Sequence, residues 1–166
     1  MPLTTVIDAG INATLTNALD LGTVTYPASV TSLLTLATGT GSSQADMIFT
    51  DTRTVSASGT DALDLAGSLT GPLGTTLTFV KLKALFVRAS SGNTNNVRVN
   101  RPASNGVPLF LAASDGIDIP PGGLFLWAGP VAGVTVTAAT GDLINIDNSS
   151  SGTSVTYDVV IIGTSA

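Results

Sequence analysis

The chain has 166 residues, a net charge of -5 and only 10% charged residues, far below the roughly one quarter of a typical soluble domain. The six cationic residues are scattered, so we expect no nucleic-acid partner. No apolar run approaches the roughly 20 residues of a bilayer span, so we expect no membrane partner. Without His or Cys, the usual Ser–His and Cys–His chemistries and the commonest metal ligands are excluded.

The remaining composition favours strands. The chain has no Glu and two Lys, whereas Thr and Val, which prefer extended backbone, are abundant. Short extended segments alternate with Gly, Pro, Asn and Asp turn signals, a spacing typical of a sandwich or barrel with roughly nine or ten strands. The sequence therefore predicts an all-β chain, a jelly-roll-like antiparallel β-sandwich.

The N-terminal region, residues 1–43, is low in charge and rich in Thr. It predicts either an extended N-terminal arm or the ordinary first strands of the domain. Residues 23–26 alternate as a strand does, Pro27 is expected to end that strand, and residues 39–43 are expected to form a flexible connector. The β-sandwich domain is predicted to occupy residues 44–166.

Two strong strands are predicted next, at residues 47–55 and 76–88. In the second, the apolar positions change parity at Val80, which indicates a β-bulge or a bend between sheets. Lys81 and Lys83 share one side of this strand. We expect them to lie on an exposed face that guards against edge-to-edge association; a nucleophile or a contact with an acidic partner surface is the alternative.

Two further side chains are candidates for contacts. Arg53 is expected to pair with Asp51 or with a carboxylate on a neighbouring strand, and an intersubunit contact is the alternative. Trp127 is expected to fill the core, with an interface anchor or a sugar platform as alternatives. The later predicted strands are residues 97–100, 107–113, 117–119, 124–128, 134–137, 143–146 and 155–162.

A glycosidase with two carboxylates is the one enzyme class that the residue inventory allows. In each candidate pair one Asp lies at a turn, where its carboxylate can accept backbone N–H groups, and we favour that role. The same residues offer oxygen ligands for calcium, but no loop has the dense acidic spacing of a dedicated site. We therefore expect no enzyme activity, no cofactor and no metal; the pairs are Asp61/Asp64, Asp115/Asp118 and Asp142/Asp147.

Four turn-and-strand segments between Ala45 and Ile162 carry a resemblance to a known family. They are Asp51–Val55, Gly74–Val87, Ile119–Leu126, and Thr140–Ile146 ahead of Tyr157–Gly163. With these segments the chain resembles the jelly-roll decoration (cement) proteins of tailed-bacteriophage capsids and related virion proteins. None of the four is a catalytic signature.

The resemblance implies a sandwich of two four-stranded sheets that forms a dimer or trimer on the outer capsid surface. There it would bridge subunits of the major capsid protein and stabilise the shell. Arg53, Lys81, Lys83 and Trp127 are then the candidate interface residues. The alternative function is a carbohydrate- or receptor-binding β-sandwich module of a phage fibre, which would expose several aromatic side chains in one groove.

Overall fold

The computed structural model describes residues 2–166, and this part of the chain is all-β without a helix. No helix there is available to cross a bilayer. Within these residues the strands are β1 (Thr5–Leu19), β2 (Gly22–Thr38), β3 (Gln44–Ala45), β4 (Met47–Val55), β5 (Thr60–Asp64), β6 (Ala66–Thr70), β7 (Thr76–Thr78), β8 (Lys81–Ala89), β9 (Val97–Asn100), β10 (Gly116–Ile119), β11 (Leu124–Ala128), β12 (Val134–Thr135), β13 (Leu143–Asn148) and β14 (Val155–Thr164).

Two antiparallel sheets form the body of the protein. One has the order β10-β9-β13-β5 and the other the order β11-β8-β14-β4, with β12 added beside β8. Side chains from both sheets meet in a single buried core, an arrangement consistent with a β-sandwich. The core includes Leu63, Val99, Ile144 and Ile146 from the first sheet and Leu85, Val87, Tyr157, Val159 and Ile161 from the second.

Strand β14 shows how the sequence selects the inner face. Val155, Tyr157, Val159 and Ile161 occupy alternate positions, and each is fully buried. Because alternate side chains of a strand point to opposite sides, this pattern turns one apolar row inward. Burying each large apolar side chain contributes about 1.5–3 kcal/mol relative to exposure.

The chain's first two strands form a long antiparallel hairpin. Its register runs from the pair Thr5 and Leu36 to the pair Leu19 and Gly22, and the turn lies at residues 20–21. At about 3.4 Å per residue, the fifteen residues of β1 extend about 50 Å. The short parallel strand β3 joins β2 only at Ala37 and Thr38.

Pro27 does not end a strand, which corrects the expectation from the sequence. It lies within β2, directly opposite Thr14 of β1. A hairpin strand with a free side tolerates proline where the missing N–H would point to solvent. The pairing with β1 therefore outweighs the tendency of proline to end a strand.

Two other strand predictions also need correction. Residues 107–113 are turns and bends, not a strand: the Val107 N–H donates to the Leu143 carbonyl, and Arg101 donates to the Phe110 carbonyl. The predicted strand at residues 76–88 is two strands, β7 and β8, which belong to different sheets. The parity change at Val80 marks the bend between them, one of the two outcomes that the pattern indicated.

Candidate interaction surface

The hairpin has two chemically different faces. Directly opposed residues of an antiparallel pair project to the same side, so the register assigns each side chain to a face. The pair Leu15 and Tyr26 lies on one face, and the next pair, Thr16 and Thr25, lies on the other. The apolar face carries Ile7, Ile11, Leu15, Leu19, Val24, Tyr26, Val30, Leu34 and Leu36, whereas the opposite face is mainly Thr, Ser and Asn.

The apolar face is covered at the base of the hairpin and uncovered toward its tip. Leu36 is fully buried against Ala84 and Ile162, with Ile7 packed beside them. The distal residues form what we call the stripe: Ile11, Leu15, Leu19, Val24, Tyr26 and Val30. Among them Ile11 is 75% exposed, Leu15 71%, Tyr26 66% and Val30 74%. Apolar side chains in such a row normally contact another surface.

The base of the hairpin lies on the outer face of the β11-β8-β14-β4 sheet. Two adjoining clefts of about 390 and 540 Å³ open between them. The larger cleft is bounded by Ile11 and Val30 on the hairpin side. On the sheet side it is bounded by what we call the sheet patch: Phe86, Leu124 and Leu126. Stripe and sheet patch therefore form one continuous apolar surface.

Charge is almost absent from this surface. The hairpin carries Asp8, which lines both clefts, and Asp20 at its tip, and the first Lys or Arg of the chain is Arg53. A partner that covers the stripe would therefore be held by apolar contact, with little contribution from ion pairs.

The accessible area shows that the hairpin projects from the body. The chain exposes 8754 Å². A compact monomer of 16.6 kDa is expected to expose about 7,600 Å², which leaves an excess of roughly 1,200 Å². This excess is total area and includes both the apolar and the polar face of the hairpin.

Arg53 joins the two sheets within one chain. Its Nε and Nη2 donate to the Asp61 carboxylate on β5 at 2.5 and 2.9 Å, and its Nη1 donates to Asp51 at 3.3 Å. The Tyr157 hydroxyl on β14 donates to the same Asp61 at 2.8 Å. The bond to Asp61 raises the pKa of the Arg53 guanidinium, while burial, reinforced by Asp61, raises the pKa of the Tyr157 hydroxyl. The predicted pairing of Arg53 is confirmed.

Lys83 is not on an exposed face, which corrects the prediction for this side chain. It is 1% exposed and shares its strand parity with the core residue Leu85. Its ammonium donates to the carbonyls of Gly41, Pro130 and Val131 at 3.3, 3.1 and 2.9 Å. Burial lowers the pKa of the ammonium, with a further contribution from Lys81.

Through Gly41, Lys83 holds the loop that follows the hairpin. The Ser43 N–H adds a bond to the Pro130 carbonyl, and Gln44 Oε1 accepts from the Gly41 N–H. The predicted connector at residues 39–43 is therefore tied to the body by side-chain and backbone bonds. Lys81, two residues earlier, is partly exposed, and its role as a contact stays a prediction.

Trp127 packs on the core from β11. It lies opposite Leu85 of β8, on the inward side of the sheet, and is partly buried. Apart from Tyr26, the remaining aromatics are buried or partly buried as well, with the ring centroids of Phe110 and Phe125 stacked at 6.2 Å. Within residues 2–166, Tyr26 is the one aromatic side chain that is mainly exposed.

The candidate carboxylate pairs are held in structural bonds. Asp64, Asp115 and Asp142 each accept a backbone N–H of a nearby residue, so the expected turn role is confirmed for them. Asp118 pairs with Arg98, and Asp147 accepts from Asn100. Among the residues that the structure describes, no three acidic side chains gather as metal ligands would.

The hairpin stripe is the feature that sequence reasoning missed. Its signal was present: from Ile7 to Leu15 every second residue is apolar, and Asp20-Leu21-Gly22 supplies the turn. Small residues such as Ala9 and Ala13 weaken the alternation, and the turn lacks a standard two-residue hairpin signature. Pairing the two segments also requires the register, which one strand alone does not reveal.

Comparison with known proteins gives no relative for this chain: no protein-family model, curated protein or solved structure matches it.

Proposed function

We propose that this chain is a structural protein of a virion, a decoration protein that binds the outer capsid surface and bridges major capsid subunits. The observation that carries the proposal is the uncovered apolar surface of the stripe and the sheet patch, on a densely packed all-β body. Such a surface suits a protein that acts through contact area.

The finer topology that we propose, a jelly roll, is supported by the strand order. Numbering the eight strands of the two main sheets along the chain, while omitting β6, β7 and the short β12, gives the orders 1-8-3-6 and 2-7-4-5. The antiparallel neighbours within the sheets then include 1 with 8, 2 with 7, 3 with 6 and 4 with 5. Folding one long antiparallel ribbon onto itself produces this nesting, and viral capsid proteins use it widely.

The side-chain inventory fits a mechanical role. Arg53 and Asp61 link the sheets, and the carboxylates accept turn N–H groups, so polar groups mainly hold the body together. Small side chains such as Thr, Ser and Ala lose little rotamer entropy when a contact orders them. Many weak contacts repeated over a shell bind strongly through multivalency.

The fibre module that binds a carbohydrate or receptor remains the alternative prediction. A sugar platform uses several exposed aromatic faces close together. Tyr26 stands apart from Trp127, which packs on the core. No specific contact in the described residues favours this second function.

Electron cryomicroscopy of the intact particle that carries this chain tests the proposal. We expect sandwich-shaped density on the outer shell, at contacts between capsid subunits. Particles without this protein should lose their contents at a lower temperature and regain stability when purified protein is added. Density confined to the tail tip, or a shell without this chain, would refute the proposal.

A further inference from the structure

We propose that a second copy of this chain covers the stripe, so that the hairpin of each copy seats its apolar face in the cleft beside the sheet patch of its neighbour. The inference deepens the proposed function, on which it rests for the expectation that the chain works in an assembly. It names the partner of the uncovered surface and the residues that meet there.

The first support is the chemistry of the stripe. Its six side chains are apolar or aromatic, and no ionisable side chain lies between Asp8 and Asp20. An isolated two-stranded hairpin is at best marginally stable in water, so its distal half needs cover. The cover must itself be apolar, since a charged surface would lose its hydration there without a compensating partner.

The second support is that the chain carries a matching surface. Leu124 of the sheet patch is 61% exposed, and Phe86 and Leu126 are partly exposed beside it. The cleft of about 540 Å³ that they border is open and mainly apolar, with Asp8 as the one charged residue in its lining. Its volume suits several aliphatic side chains, and the stripe of another copy supplies them.

The third support is area. The roughly 1,200 Å² of excess surface is shared between the two faces of the hairpin, and each copy adds its sheet patch to the apolar share; a standard interface buries about 800 Å² on each partner. Each copy offers both the stripe and the patch, so two copies can exchange hairpins mutually in a closed dimer, and three can do so around a closed ring. In a closed assembly neither the stripe nor the sheet patch stays free for a further copy.

Sedimentation of two matched double variants tests the inference. L15D/Y26D places two charges on the stripe, and T16D/T25D places them on the adjacent cross-strand pair of the opposite face. We expect the unmodified protein to associate between about 1 and 100 µM. L15D/Y26D should weaken that association at least about 100-fold, whereas T16D/T25D should change it less than about threefold.

Hydrogen exchange gives a second measurement that needs no variant. If copies cover the stripe, backbone amides of β1 and β2 gain protection as protein concentration rises, while amides of the core strand β14 do not change. A wild-type chain that stays monomeric throughout this range overturns the inference. Equal loss of association in both double variants overturns it too.

Binding to particles that lack this protein distinguishes this inference from the proposed function. A monomeric chain whose hairpin amides become protected only when such particles are added has the capsid as its partner, which overturns this inference and supports the proposed function. A chain that self-associates through the stripe but does not bind these particles supports the inference and refutes the proposed function.

Discussion

The outer faces of the two sheets are made by the same alternation but have opposite character. On the β10-β9-β13-β5 sheet, the outward side chains include the ion pair of Arg98 with Asp118 and the bonded Asn100 and Asp147. On the other sheet, Phe86, Leu126 and Val160 form a contiguous apolar area beneath the hairpin. Charged and polar side chains are well hydrated when they face water, whereas an exposed apolar face normally contacts a partner.

The same contrast between apolar and polar surface occurs within one sheet as well. The outer face of the β11-β8-β14-β4 sheet is apolar where the hairpin lies on it. It becomes polar farther along β14, where Asp158 accepts from Thr52 and Arg88. The apolar part extends beyond the hairpin to Leu124, which is 61% exposed. The uncovered part of the sheet face and the stripe border the same open cleft.

The largest effect is expected from a charge on the apolar face. Phe86→Asp should weaken self-association about 100-fold, about 2.7 kcal/mol, because its ring borders both clefts. Asn145→Asp, on the outward side of the opposite sheet, is the matched control and should leave association unchanged. Sedimentation equilibrium measures both, and an equal loss in the two variants would contradict the distinction between the faces.

A smaller effect is expected where the hairpin is anchored over that face. Lys83→Met keeps most of the aliphatic stem but removes the donor to three carbonyls, so we expect a loss of about 1–3 kcal/mol in the free energy of unfolding. Lys81→Met is the control and should cost less than about 0.5 kcal/mol. Urea unfolding measures both; an unchanged midpoint for Lys83→Met would contradict the anchoring role.

The Asp61 carboxylate, which links the two sheets by its bonds with Arg53 and Tyr157, is expected to contribute about 1–2 kcal/mol to the free energy of unfolding. Asp61→Asn removes the carboxylate shared by Arg53 and Tyr157, leaving the guanidinium without its main partner. Asp51→Asn removes the more exposed partner of the same Arg53 and should cost at most about 1 kcal/mol. Thermal unfolding of the two variants compares them directly, and equal shifts would show that the bridge has no special role.

The smallest effect concerns the exposed ion pairs, of which each outer face carries one. Bonds from Arg98 lower the pKa of Asp118, and bonds from Thr52 and Arg88 lower the pKa of Asp158. A carboxyl whose folded-state pKa lies below its unfolded value, about 3.9, stabilises the fold above that pH. We therefore expect modest stability to be lost as pH falls below about 4 through the folded pKa values. Asp118→Asn should flatten that slope in a pH series of unfolding curves.

Sequence alone predicts much of the body because the relevant signals are local. In residues 47–55 and 155–162, the strand-forming residues alone identify the strands, which the structure places at Met47–Val55 and Val155–Thr164. The all-β class follows from composition for the same reason. These features depend on neighbours within a few residues.

What sequence missed depends on contacts between distant residues. Lys83 can be buried because three carbonyls more than forty residues away accept hydrogen bonds from its ammonium. Residues 107–113 have strand-like composition, but the Val107 N–H bonds to Leu143 outside any ladder. The stripe likewise emerges only when β1 and β2 are placed in register. Each of these outcomes needs the tertiary fold.

The length of the hairpin sets how far its tip lies from the body. Whether the number of residues between base and tip is changed by an odd or an even number sets which side the distal apolar row faces. Deleting two residues from each strand should shorten the hairpin's reach by about 7 Å, and every distal side chain would keep its side. Deleting one from each strand would shorten the reach only half as much but rotate the distal apolar row to the opposite side. Natural variants of this hairpin are therefore expected to differ in steps of two residues per strand. Such steps would change the distance between associated copies while the same face of the hairpin stays in the proposed interface.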